Sequence, residues 1–94
     1  MSKSIMQTEK QCYFCGCVRN LDRHHVFFGT ANRRLSEEDG CWIWCCKDHH
    51  TLSGMSVHQD RKMDLLLKAQ CQETWEEIYG DRKKFIQRYG KSYI

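Results

Sequence analysis

Two short pairs constrain what this chain can fold into: Cys12-x-x-Cys15 near the start, and Cys46-x-x-His49 well downstream. Zinc takes four thiolate or imidazole ligands in a tetrahedron, and each pair presents two of them on a tight turn or a first helical turn. Cys12, Cys15, Cys46 and His49 are therefore the expected structural zinc ligands. Closing that site pins two distant segments together and makes metal binding part of the folding free energy. Cys45 competes with Cys46, but its spacing to His49 is less usual and strand alternation turns it away. Cys17 competes in the same way with Cys15. Cys17, Cys41 and Cys71 are expected as packing residues, since free cysteine packs as a small hydrophobe.

The staple matters because the chain has only 94 residues. That length allows one domain, 1–94, with a core small enough to need a metal or disulfides. Seven cysteines, an odd number, argue against a closed disulfide framework. The first ten residues are polar and charged, and no apolar run approaches membrane-spanning length. The expectation is a cytoplasmic chain with reduced thiols, where such pairs bind metal. A thiol oxidoreductase would need its Cys-x-x-Cys on a βαβ scaffold, and no such pattern is present. The net charge of +3 permits nucleic-acid binding without demanding it.

Along the chain, residues 1–10 read as a flexible lead-in. Cys12 to Cys17 forms a knuckle in which Gly16 can take a positive φ. Leu21–Phe28 has strand character, residues 29–40 read as a polar loop, and Cys41–Cys45 reads as a second strand. A short helix from Cys46 to about Ser53 stops at Gly54. Ser56 then opens a longer helix through Tyr79, with Met63, Leu66, Leu67, Cys71, Trp75 and Ile78 facing inward. Asp81 caps a last helix that buries Phe85, Ile86 and Tyr89 before Gly90. Trp42 and Trp44 share one strand face and are expected in the core.

Two adjacent histidine pairs remain, His24-His25 on the first strand and His49-His50 at the clamp. Arg23-His24-His25-Val26, the following strand and Cys46-Lys47-Asp48-His49-His50 resemble the HNH nucleases of the His-Me finger (ββα-metal) superfamily, in its zinc-stapled branch. The closing Tyr89-Gly90-Lys91-Ser92-Tyr93 is similar to the end of small phage and prophage members. The motif likeness spans residues 12–58, and the rest of the chain is covered more loosely.

The resemblance implies an α+β fold: a treble-clef-like ββα-metal core over 11–58, then C-terminal helices over 59–94. It implies a DNA endonuclease leaving 5′-phosphate and 3′-hydroxyl ends. His25 falls on the general base, and His24 and His50 on ligands of a catalytic divalent ion (Mg²⁺, Mn²⁺, Ni²⁺ or Zn²⁺). The usual later ligand falls on Gly54, which leaves His58 as the third. The family's middle Asn, which orients the base, falls on Cys41, so a backbone carbonyl or Asn32 is expected to do that work. Arg23, Arg33, Arg34 and Lys47 are expected to contact phosphates, largely blind to sequence. Arg82, Lys83, Lys84, Arg88 and Lys91 form a second basic group. DNA is the expected partner, with a homodimer or phage replication, recombination or packaging proteins beside it, in a bacterial host cytoplasm. The alternative is a non-catalytic zinc-stabilised module that binds nucleic acid or protein, for which Cys41 is the main argument.

Overall fold

Bulky residues at every other position make the two strands, and glycines and caps set the helix ends. The computed structural model describes residues 3–46 and 61–94. It is a small α+β arrangement with the order β1 (Leu21–His25), α1 (Thr30–Asp39), β2 (Trp42–Cys46), α2 (Arg61–Tyr79) and α3 (Arg82–Tyr89). The strands pair antiparallel, with Leu21 opposite Cys46, Arg23 opposite Trp44, His24 opposite Ile43 and His25 opposite Trp42. Cross-strand partners share a face. His24 therefore sides with Ile43 toward the core, while Arg23 and His25 side with Trp44 and Trp42 on the opposite face.

Residues 29–40 are not the loop expected from their polarity. Ala31, Arg33, Arg34, Leu35, Glu37 and Glu38 are strong helix formers, and they build most of α1. Its low apolar content hid it, since few of its side chains turn inward; Leu35 and Ser36 are among those that do. Arg34 and Glu38 pair at 3.5 Å one turn apart. Gly40 closes the helix in the left-handed region, its N–H donating to the Ser36 carbonyl.

The same helix explains why β1 ends at His25 rather than Phe28. Val26 still donates to the Cys41 carbonyl at 2.9 Å. At Phe27, however, the buried Ser36 hydroxyl takes over from the ladder, donating to the Phe27 carbonyl at 2.7 Å and accepting from its N–H at 3.2 Å. Phe27 is thereby turned into an aromatic stack, with ring centroids 5.1 Å from Phe85, 4.6 Å from Tyr89 and 5.5 Å from Tyr93.

The core consists of Val26, Phe27, Cys41, Ile43, Cys45, Leu67, Cys71, Trp75, Phe85 and Tyr89. Three expected core positions are exposed instead: Leu66, Ile78 and Ile86. The inward stripe of α2 runs through Asp64, Leu67, Lys68, Cys71, Gln72 and Trp75, so polar side chains take places the pattern gave to apolar ones. Lys68 and Asp64 pair at 2.5 Å within it, and the Lys68 ammonium sits 3.8 Å from the centre of the Phe28 ring. Trp42 and Trp44 face away from this core.

A buried carboxylate ties the helices together. Asp39, at the end of α1, accepts from the Trp75 indole at 2.9 Å, the Tyr89 hydroxyl at 2.8 Å, and the Arg88 Nε and Nη2 at 2.6 and 2.8 Å. Its carbonyl accepts from the Tyr79 hydroxyl at 2.8 Å. Arg88 is thus held by Asp39, so the expected basic face of α3 is smaller than its sequence suggests. Asp81 caps α3 as expected, accepting from the Lys84 N–H at 2.9 Å.

The lead-in is not loose from Lys3 onward. Ile5 donates to the Gly40 carbonyl at 2.9 Å, Trp44 donates to Gln7 Oε1 at 2.7 Å, and the Ser4 hydroxyl bonds the Trp42 carbonyl at 2.5 Å. The segment lies along β2, where polar side chains substitute for ladder bonds.

Candidate metal centre and histidine cleft

The knuckle forms because Gly16 adopts φ +78. Its N–H donates to the Cys12 carbonyl at 2.8 Å, and the Cys12 N–H to the Cys17 carbonyl at 2.7 Å. Tyr13 N–H donates to the Trp44 carbonyl at 2.8 Å, which docks the knuckle on β2. The sulfurs of Cys12, Cys15 and Cys46 then all lie within 4.8 Å of one another. Cys15 and Cys46 Sγ are 3.7 Å apart. A tetrahedron with Zn–S bonds of about 2.3 Å has its sulfurs about 3.8 Å apart, so the three thiols fit zinc.

Electrostatics favours a thiolate at one of them. Burial acts to raise the Cys12 pKa, but backbone N–H groups of Cys46, Cys15 and Phe14 point at its sulfur, and the thiol of Cys15 adds a further bond. Together they bring it down to about 6. For Cys15 the N–H of Cys17 lowers the pKa, but the neighbouring Cys12 and Cys46 sulfurs outweigh it and push the thiol up to about 11. Burial pushes Cys45 up to about 12.

The competitors are therefore separated. Cys45 and Cys41 are fully buried in the core, and Cys71 with them. Cys17 is exposed rather than packed, its thiol 3.6 Å from the Arg19 carbonyl. None of the seven cysteines is in a disulfide. Four expected site residues, Lys47, His49, His50 and His58, lie outside the described residues.

The two strand histidines go to opposite faces, as alternation requires. His24 is 2% exposed, on the core side, its ring 6.2 Å from that of Phe28. His25 faces α1, where its Nε2 lies 2.6 Å from Glu37 Oε2. The other carboxylate oxygen of Glu37 accepts from Arg23 Nη1. Burial acts to raise the Glu37 pKa, but the bond to His25 and the charge of Arg23 hold it below the usual range.

Arg23, His25, Arg33, Arg34 and Glu37 line one open cleft of about 510 Å³. Three expected phosphate contacts and the expected base are thus brought together. Asn32 is not among them: its amide donates to the Tyr89 carbonyl at 3.3 Å and ties α1 to α3. Nor is Cys41, which is buried and lies 3.6 Å from the Tyr89 hydroxyl. The residue that meets His25 is Glu37, which the sequence reading missed. The signal was there only on helical geometry, since Arg33 and Glu37 are one turn apart and share a face.

Chemically, a carboxylate on one imidazole nitrogen fixes the tautomer and orients the ring. The other nitrogen is then the proton acceptor, beside three guanidinium groups suited to a phosphate. No helix among the described residues is long and apolar enough to cross a membrane. Comparison with known proteins finds no match among family models, curated proteins or solved structures.

Proposed function

We propose that this chain is a metal-dependent endonuclease of HNH type, hydrolysing DNA phosphodiester bonds to 5′-phosphate and 3′-hydroxyl ends. The observation that carries the reading is the His25–Glu37 contact at 2.6 Å, set in a cleft with Arg23, Arg33 and Arg34. The antiparallel pair β1–β2 and the three gathered thiols are compatible with a zinc-stapled ββα-metal core; Cys46 closes β2, and the rest of the short helix expected to about Ser53 lies outside the described residues.

In this mechanism Glu37 holds the His25 proton on Nε2, so that Nδ1 takes the proton from the attacking water. The carboxylate then stabilises the imidazolium that forms. Arg33 and Arg34 draw the phosphate into the cleft, and Arg23 positions Glu37. Glu37 does what the family gives to its middle Asn, and this removes the main objection raised by Cys41. The resemblance gives a divalent ion to His24, His50 and His58, where it would supply Lewis-acid stabilisation of the leaving oxygen; His24 itself is buried on the core side, on the opposite face of β1 from His25. Structural zinc would be held by Cys12, Cys15, Cys46 and His49.

Incubating the zinc-loaded chain with supercoiled plasmid and Mg²⁺, Mn²⁺ or Ni²⁺ tests the reading. Nicked or linear product is expected, and a His25→Ala chain should lose at least about a hundredfold in rate. Cleavage no greater than that of His25→Ala under all three ions would overturn it. DNA binding retained without cleavage would instead favour the non-catalytic zinc module.

A further inference from the structure

The face of the sheet that carries Arg23 and His25 also carries Trp42 and Trp44, away from the main cluster; Trp42 is buried there and Trp44 half-buried. They meet edge to face, with centroids 5.3 Å apart at 86°. The docked N-terminal segment rises beside them and makes a second cleft of about 500 Å³. Its lining includes Thr8, Glu9, Lys10, Arg23, Trp42 and Trp44. That size falls within the roughly 300–1,000 Å³ of small-molecule sites.

Cations already sit on both rings. The Arg23 guanidinium is 3.9 Å from the Trp42 ring centre and 5.3 Å from that of Trp44, and the Lys10 ammonium is 4.8 Å from the Trp44 centre. Trp44, the half-buried ring, thus lines the cleft with a long flexible lysine and a planar guanidinium over it. Arg23 also lines the neighbouring cleft with His25 and Glu37, so the two clefts share a wall.

We infer that the tryptophan cleft is a subsite for one unpaired nucleobase of a single strand. A base has an apolar π-face that stacks on an indole whatever its identity. The face is available in a single strand and hidden within a duplex. As the base enters over Trp44, the Lys10 ammonium leaves the ring for a backbone phosphate. Glu9 and Thr8 meet the polar edge of the base, the Glu9 carboxylate accepting from an exocyclic amino group. The next phosphate then passes Arg23 toward His25. The subsite deepens the nuclease reading and rests on it for that last step alone. The enzyme would thus prefer frayed, flapped or single-stranded substrate to closed duplex.

The test is a binding titration, which needs no cleavage. The zinc-loaded His25→Ala chain is titrated with a ten-nucleotide single-stranded DNA, the matching RNA, and a duplex of equal length, reading tryptophan fluorescence and, for the tryptophan variants, the anisotropy of an end-labelled strand. Trp75 is buried with its indole N–H on Asp39 and Trp42 is buried as well, so a change reports chiefly Trp44, the half-buried ring. Single strands are expected to quench the emission and the duplex to leave it nearly unchanged; the DNA and RNA arms decide which strand is preferred. Trp44→Ala should weaken single-strand binding about tenfold and duplex binding hardly at all, with Trp44→Phe restoring most of the loss. Thr8→Leu, which narrows the cleft from an exposed position without adding a stacking ring, should produce the same selective loss and decides the matter if Trp44→Ala does not fold. Equal effects on single strand and duplex, or no effect on either, would overturn the subsite. Plasmid cleavage is read separately, so a failed subsite and a failed nuclease are distinguishable.

Discussion

Glu37 is the side chain on which the proposed chemistry turns. It sits between an imidazole and a guanidinium, taking a hydrogen bond at Oε2 from His25 and one at Oε1 from Arg23. Replacing it with glutamine keeps the shape and removes the charge that stabilises an imidazolium. Glu37→Gln is expected to slow plasmid cleavage about tenfold to a hundredfold while leaving DNA affinity within about twofold. A loss of affinity matching the loss of rate would refute the positioning role. The same carboxylate gives an acid-limb signature. Its folded pKa lies below the unfolded value of 4.5. Its stabilisation is therefore complete above that value and disappears as the pH falls through the lower folded one. Thermal melts should show a wild-type advantage over Glu37→Gln of about 1 kcal/mol near pH 6, closing in acid below the folded pKa.

At the scale of elements, α1 is what the sheet and the helices share. Its far end places Asp39 among Trp75, Arg88 and Tyr89, and its middle lends the Ser36 hydroxyl to Phe27. Asp39→Ala would leave an indole N–H, a phenol and a guanidinium without their acceptor. Urea unfolding should register a loss of about 2–4 kcal/mol. Arg88→Met should cost less, because Arg88 is one-third exposed and the carboxylate keeps its other donors. Gly40 is the joint between α1 and the docked N-terminal segment. It has φ +79, and a Cβ there would lie 2.2 Å from the Lys3 carbonyl. Gly40→Ala is expected to destabilise by about 1–3 kcal/mol. It should also expose the amide of Ile5 to hydrogen exchange; unchanged protection there would contradict the docking.

For the whole molecule, the thiols bring the knuckle at Cys12 and Cys15 against Cys46, the last residue of β2. A chain this small gains much of its stability from such a staple. One tightly held zinc per chain is expected by elemental analysis. Stripping it with a strong chelator should lower the melting temperature by more than about 10 °C, or abolish the transition. Cys15→Ser and Cys46→Ser should weaken zinc binding at least about tenfold, while the exposed Cys17→Ser should not. An unchanged melt after chelation would exclude a structural role for the metal.

Much of this was legible in the sequence, because it depends on neighbours. The Cys-x-x-Cys knuckle, the choice of Cys46 over Cys45 and the opposed faces of His24 and His25 follow from tight-turn spacing and strand alternation. The Asp81 cap and the inward Phe85 and Tyr89 follow from local hydrogen bonding and helical period. Helix α1 was hidden because it starts at Gly29 with no side-chain cap to mark it, and its polar run between two glycines reads locally as a turn-rich loop. The placement of the buried Trp42 and the half-buried Trp44 on the face away from the main cluster, and of Asp64, Lys68 and Gln72 within it, depended on which face of each element found a partner. Glu37 at His25 and Asp39 at Arg88 are contacts across 12 and 49 positions of chain. No local pattern encodes such pairings, and only the packed fold selects them.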